Sequence, residues 1–218
     1  MKLNNTKQIR DSVAHICKKY GDTYWRALDK EKKYPSEFVK EMTDSGFLNV
    51  LIPEQFGGSG LGLIDACAVL EEISLNGAHA GACHAQMYVM GSVLRHGTEE
   101  QKAKFLPKIS AGKLRLQSFA VTEPNSGTDT TNIKTFAEKT NSGWKVNGQK
   151  VWISRVEYSD LMLLLARTTP IEKVKKKTDG ISAFLINIHD VKNKGLTISP
   201  IDSMINHHSC ELFFDDMV

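Results

Sequence analysis

Near Leu114 the hydrophobic period of the chain changes from 3.6 residues to 2, and that change restricts the fold more than any single motif does. Upstream, Ile9, Val13, Ile16, Cys17 and Tyr20 recur at helical spacing between charged residues. Tyr34-Pro35-Ser36 can start a second helix, with Pro35 near its first turn, Phe38, Val39 and Met42 inward, and Gly46 as terminator. Leu63, Ala66, Cys67, Leu70 and Ile73 make another stripe. A helix over residues 78–95 carries Gly81, Ala82, Ala85 and Gly91, small residues that suit close approach to a neighbouring backbone. Thr98 to Gln101 forms a capping box for one more helix, which stops around Gly112. Downstream, strand-like runs fall at residues 134–139, 144–146, 150–153, 160–166, 181–188, 196–200 and 211–214. Asn141-Ser142-Gly143, Asn147-Gly148 and Asp179-Gly180 separate them, and the Asn-Gly step predicts a type I′ hairpin turn. The expected chain is α+β: an all-helical N-terminal domain over residues 1–113, then an antiparallel β-barrel or sandwich domain over 114–218.

The segment that joins the two regimes is the chemically distinctive one. An extended apolar run through Phe119 and Val121 ends in Thr122-Glu123-Pro124-Asn125-Ser126-Gly127-Thr128-Asp129. Pro124 fixes φ and removes a donor, Gly127 permits positive φ, and short polar side chains crowd around them. A strand delivering such a turn makes a ledge of N–H groups and hydroxyls, suited to the polar edge of a flat ring or to a phosphate. An ordinary polar loop has the same composition, and the residues alone leave both readings open.

Other features exclude more than they assign. The loop at Gly57, Gly58, Gly60 and Gly62 spaces its glycines as G-x-G-x-G, not the G-x-G-x-x-G of a dinucleotide fingerprint, and no βαβ alternation surrounds it. Lys plus Arg number 28 against 25 Asp plus Glu, a net charge of +3 that gives no argument for nucleic acid or an anionic membrane. Cys17, Cys67, Cys83 and Cys210 lack C-x-x-C spacing and read as small hydrophobes or free thiols of a reducing compartment. His79 and His84 do not stack on one helix face, and His207-His208 has no carboxylate or Cys at ligand spacing, so no metal is expected. The Lys173, Lys175, Lys176, Lys177 run reads as a solvated loop. No apolar run approaches a membrane span and the N-terminus lacks a signal-peptide core, so the expectation is a soluble, cytoplasmic protein, or one of the mitochondrial matrix if eukaryotic.

Two ordered motifs carry a resemblance. Thr122-Glu123 through Gly127-Thr128-Asp129, followed by Asn147-Gly148-Gln149-Lys150-x-Trp152-Ile153-Ser154, resembles the acyl-CoA dehydrogenase family. Ile52-Pro53-Glu54-Gln55-Phe56-Gly57-Gly58 and Gly97-Thr98-Glu99-Glu100-Gln101-Lys102 through Leu106-Pro107 resemble two further stretches of it. The resemblance implies FAD held against the β-domain and α,β-dehydrogenation of an acyl-CoA thioester. Electron-transferring flavoprotein would be the acceptor, and the full-length protein a homo-oligomer. It implies cofactor contacts from Phe119, Val121, Thr122, Gly127, Thr128, Trp152, Ile153 and Ser154, with Trp152 walling the ring and Ser154 near its N5. Ser126 and Thr128 would lie toward the pyrophosphate or the CoA pantetheine. It also implies that the family's C-terminal helical bundle, which supplies the proton-abstracting carboxylate, is absent here; Glu123 reads as structural rather than as that base. Two departures stand out: Asn132 replaces a small residue, and Arg155-Val156 follows Ser154 where many members have Asn-Gly. An acyl-CoA oxidase or flavin monooxygenase of the same superfamily, and a non-catalytic flavin- or CoA-binding module, remain open alternatives.

Overall fold

The computed structural model describes residues 2–141 and 143–218, with side chains from Thr6 onward. The chain divides into two compact units, Met1–Leu116 and Gln117–Val218.

The first unit is helical: α1 (Lys2–Cys17), α2 (Asp22–Glu31), α3 (Ser36–Asp44), α4 (Leu63–Leu75), α5 (Gly81–His96) and α6 (Glu99–Ser110). Val13, Phe38, Val39, Met42, Val69, Ile73 and Cys83 join one buried core, the positions that a 3.6-residue period aligns inward. The capping box that opens α6 is present: Gln101 N–H donates to Thr98 Oγ1 at 3.2 Å, and Thr98 N–H donates to Gln101 Oε1 at 2.9 Å. Hydrophobic period does not reveal α2, which buries no residue outright. Aromatic packing anchors it instead: Trp25 Nε1 donates to Tyr20 O at 2.8 Å, and the Trp25 and Tyr20 rings meet Phe38 edge-on at 5.0 and 5.3 Å. Gly91 departs from its expected role. Nothing described lies within 4 Å of where its Cβ would stand, so no neighbouring backbone approaches it there.

The glycine-rich loop is a tight chain reversal with its donors already used. Gly58 N–H bonds Pro53 O at 3.3 Å, Gly60 N–H bonds Ile52 O at 2.9 Å, and Leu61 N–H bonds Val50 O at 2.7 Å. A Cβ at Gly58 would fall 2.0 Å from Ile52 O, so the loop needs glycine to let backbone meet backbone.

The second unit carries β1 (Leu116–Ala120), β2 (Phe136–Thr140), β3 (Gly143–Ser154), β4 (Leu161–Arg167), β5 (Ile181–Asn187), β6 (Leu196–Pro200) and β7 (Ser209–Met217). They form one curled sheet in the order β1-β4-β2-β3-β7-β6, with β5 also paired to β4. It is a half-barrel rather than a two-sheet sandwich, and it is mixed. Pairs β2–β3, β3–β7, β4–β5 and β6–β7 are antiparallel, but β2 meets β4 in parallel at Phe136 and Arg167. The antiparallel expectation is corrected by that one contact. A strand has two edges, and β5 occupies one edge of β4 along its whole length, so β1 and β2 share the other. Alternation of hydrophobicity cannot report such an exchange of neighbours.

The Asn147-Gly148 hairpin is also corrected. Both residues lie inside β3, Asn147 opposite Phe136 and Gly148 opposite Phe214, beside an irregularity in the β3–β7 register. Gly148 has φ +148°, and a Cβ there would stand 2.7 Å from Thr135 Cα. Glycine is required for that close approach inside a strand, not for a turn. The reversal between β2 and β3 falls after Thr140, where Thr140 pairs with Gly143; of the expected turn residues, Ser142 lies outside the described residues.

Candidate functional site

Three hydrogen bonds bring the two motifs together. Val151 N–H donates to Thr122 O at 2.9 Å, and Lys150 Nζ donates to Val121 O at 2.8 Å and to Glu123 Oε1 at 2.9 Å. The chain leaving β1 is thereby sewn onto the middle of β3. Glu123 also accepts from the backbone N–H groups of Lys134 at 2.6 Å and Thr135 at 2.9 Å, so one carboxylate holds both ends of the 123–135 connection.

The Lys150 side chain is 0% exposed and that of Glu123 7% exposed. Burial works against the Glu123 charge, yet the bonds from Lys134, Thr135 and Lys150 outweigh it and hold its pKa below the usual carboxylate value. For Lys150 burial wins over Glu123 and lowers the ammonium pKa. The residues alone did not disclose this pair. An inward-facing Lys in a strand whose neighbour two turns of pleat away is Val146 was the available signal, since such a charge demands a partner.

Beyond Lys150 the strand does something unusual. Trp152 has φ +62° and Arg155 φ +57°, both in the left-handed region that bulky side chains avoid at a cost of about 1–2 kcal/mol. The β3–β7 register slips between Lys150 and Ile153, so Trp152 sits in a bulge. The bulge turns the Trp152 side chain outward, 59% exposed, while Ile153 stays in the core at 2%. Only the backbone of Ile153 can therefore face a ligand. Ser154 is half-buried opposite Ser209. Arg155 is 4% exposed; its N–H donates to His208 O at 2.8 Å, and its Nη2 lies 3.4 Å from His207 Nδ1.

On the other side of the seam Phe119, Val121 and Thr122 are half-buried. Glu123 and Ser126 exchange two backbone bonds, 3.0 and 3.1 Å, that close the turn. Ser126 is buried and its hydroxyl donates to Asp129 O at 2.5 Å, so it faces the turn's interior. Gly127 and Thr128 are exposed at the tip, and Gly127 does not have the positive φ expected for it. Among the described residues nothing lies within 4 Å of its Cβ position, an open face any ligand could approach. Arg167, 4% exposed, fixes the far end of the connection by donating to the carbonyls of Thr131, Ile133, Lys177 and Asp179. The structure thus brings Val121 and Thr122 beside Lys150 and Val151, with Trp152 next in line, and sets Gly127 and Thr128 at a separate exposed tip.

The helical unit carries its own concavity, a groove of about 390 Å³ lined by Leu63, Cys67, Leu70, His84, Met87 and Tyr88 among others. Cys67 is exposed, unlike the other three cysteines, which are buried; all four are free thiols. His79 and His84 lie at the surface, His84 with its ring 4.9 Å from that of Tyr88, and the lysines of 173–177 are exposed. Among the described residues no three His, Cys, Asp or Glu converge on a metal position, and no helix is long and apolar enough to cross a membrane.

Comparison with known proteins agrees with this architecture. Residues 4–113 match the model of the acyl-CoA dehydrogenase N-terminal domain, and residues 118–217 that of the middle domain. The mitochondrial isovaleryl-CoA dehydrogenase of Pongo abelii is 31% identical over 226 residues, an alignment covering 96% of this chain and 50% of the relative. The crystal structure of an acyl-CoA dehydrogenase from Geobacillus kaustophilus superposes with a TM-score of 0.88 at 29% identity, covering 97% of this chain and 55% of that one. A chain solved as the FAD complex of PigA superposes at 0.85 with 27% identity, covering 98% and 56%. The chain spans about half the length of the curated relatives it matches. It belongs to the acyl-CoA dehydrogenase family.

Proposed function

We propose that this chain forms the FAD-binding portion of an enzyme that desaturates an acyl-CoA thioester between its α and β carbons. One observation carries the reading: a tryptophan held at φ +62° with 59% of its surface outward, directly beside the Thr122–Val151 seam. Backbone strain and an exposed aromatic are both unfavourable in isolation, and a flat apolar ring stacked on Trp152 offsets them. A bound FAD would supply the hydride acceptor for the β carbon.

The residues divide the work of holding it. Trp152 would wall one face of the isoalloxazine, while Phe119, Val121 and Thr122 border it. Ser154, with the backbone of Ile153, would present hydrogen bonds near N5. Gly127 and Thr128 would leave space for the pyrophosphate, and Ser126 would shape the turn toward the CoA pantetheine from within. The Glu123–Lys150 pair fixes this frame and takes no proton in the reaction. Its carboxylate already accepts three hydrogen bonds and its pKa is lowered, both of which make it a poor base. In the helical unit the α4–α5 groove offers apolar surface for an acyl chain. Electron-transferring flavoprotein is the proposed acceptor, and a homo-oligomer the proposed assembly of the whole protein.

The experiment is FAD titration of the protein, followed by anaerobic addition of a panel of acyl-CoA esters. Quenching of flavin fluorescence in the wild type and its loss in Trp152→Ala support the reading. Flavin binding that ignores Trp152→Ala refutes the assignment of the ring wall. Peroxide formed with substrate in air would move the activity to the oxidases.

A further inference from the structure

Resting on that FAD reading, we propose that Arg155 sets the charge state of the reduced cofactor, stabilising the negative charge the isoalloxazine gains when it takes up two electrons and one proton. Arg155 follows Ser154 directly, so its guanidinium is carried by the segment that would border the ring. The residue is 4% exposed, and a buried guanidinium differs from a buried ammonium in one respect that matters. It does not shed its proton on leaving water, so the positive charge persists at every working pH. Away from solvent, that charge acts over several ångströms with little screening.

The neighbourhood keeps the charge in place. Arg155 Nη2 lies 3.4 Å from His207 Nδ1, and a guanidinium has only donors. Nδ1 must therefore be the unprotonated, accepting nitrogen. The His208 carbonyl accepts the Arg155 N–H at 2.8 Å, which fixes the backbone in its left-handed turn. Asparagine or glycine would adopt that turn more readily than arginine does. This chain places a buried charged residue in the turn, at φ +57°, and bears the strain of doing so. Such an outlier beside a cofactor segment points to function rather than to packing.

The test is redox titration of the flavin-loaded protein between about pH 6 and 9, for wild type, Arg155→Lys and Arg155→Gln. In the wild type the potential should fall with pH at the slope of one proton per two electrons throughout. Arg155→Lys, which keeps a cation, should follow it. Arg155→Gln should show a lower potential and, in the acid part of the range, the doubled slope of two protons per two electrons. The reduced ring's N1 should then bind its proton about tenfold more tightly or better than in the wild type, one pKa unit or more. A Gln variant that holds flavin with wild-type potential and slope overturns the proposal alone. So does a two-proton slope near pH 6 in the wild type, whether or not any variant folds. A wild type that binds no FAD overturns the underlying reading and the proposal with it.

Discussion

Glu123→Ala should cost the β-unit about 3–5 kcal/mol, which is large against the 5–15 kcal/mol typical of a domain. The carboxylate it removes accepts from Lys134 N–H, Thr135 N–H and Lys150 Nζ, all within 2.9 Å. The buried Thr135 amide loses its acceptor at about 1–3 kcal/mol, the part-buried Lys134 amide loses one at less, and a fully buried ammonium loses its counter-charge. Lys150 can escape part of that cost by releasing its proton, since burial already lowers its pKa. Lys150→Met should be milder, about 1–3 kcal/mol. Glu123 keeps its two backbone donors in that variant, and only Val121 O and one carboxylate oxygen lose a partner. The double variant should cost less than the sum of the two, because the second change removes an orphan the first created. Urea unfolding followed by tryptophan fluorescence reads this directly. With a slope of about 1–3 kcal/mol/M, the Glu123→Ala midpoint should drop by about 1 M or more. A loss under about 1 kcal/mol, or strict additivity, would refute the view that this pair sews the two motifs together.

The pair also predicts an acid limb. The Glu123 pKa is lowered in the folded chain, so its contribution is complete above the unfolded value of 4.5 and disappears as pH falls below it through the folded pKa. The stability gap between wild type and Glu123→Ala should accordingly narrow in urea melts below about pH 4.5. Trp152→Asn should leave the flavin-free protein as stable as wild type or up to about 1 kcal/mol more so, because Asn tolerates positive φ. The same variant should bind FAD at least about tenfold more weakly for want of a stacking face, and unchanged FAD affinity would contradict the ring-wall role. Gly148→Ala should destabilise by about 1–3 kcal/mol through its overlap with Thr135, whereas Gly127→Ala, in open space, should not register in a thermal melt. Arg167→Met should cost about 2–3 kcal/mol in the same melt, since the buried Ile133 carbonyl and the part-buried carbonyls of Lys177 and Asp179 lose a shared charged donor.

What could be read from the residues follows their physical environment. Strand β4 was legible because nearly every side chain in it is buried, which leaves an unbroken apolar run, and the limits of β6 coincide with its run. Helix α2 was not, because aromatic edges rather than an apolar stripe attach it. The Asn-Gly step misled because a glycine demanded by close backbone approach has the same letters as one demanded by a turn. At the site, composition disclosed a polar turn after a strand and an aromatic near a hydroxyl. It could not disclose that Trp152 is rotated out by a bulge while Ile153 is rotated in. Nor could it show that Ser126 spends its hydroxyl on Asp129, or that Arg155 is buried. Those depend on register, which no local window contains.

The change of neighbour along β4 has a mechanical side. On one flank β4 and β5 share seven paired residues; toward β2, the pairing shrinks to Phe136 and Arg167. A ladder that narrow is a perforation, and thermal opening follows perforations before it breaks full seams. The sheet should therefore come apart as two cooperative blocks, with β4 and β5 in one and β2, β3, β7 and β6 in the other. Amide exchange would separate into two protection classes meeting at residue 167. Arg167 bridges the weak line, by its N–H to Thr135 O at 2.8 Å and by its guanidinium to the carbonyls of Thr131 and Ile133, a rivet at the end of the tear rather than along it. A molecule seated against both Thr122 and Trp152 would rest within a few residues of that line, and the exchange of both blocks would slow together when it binds.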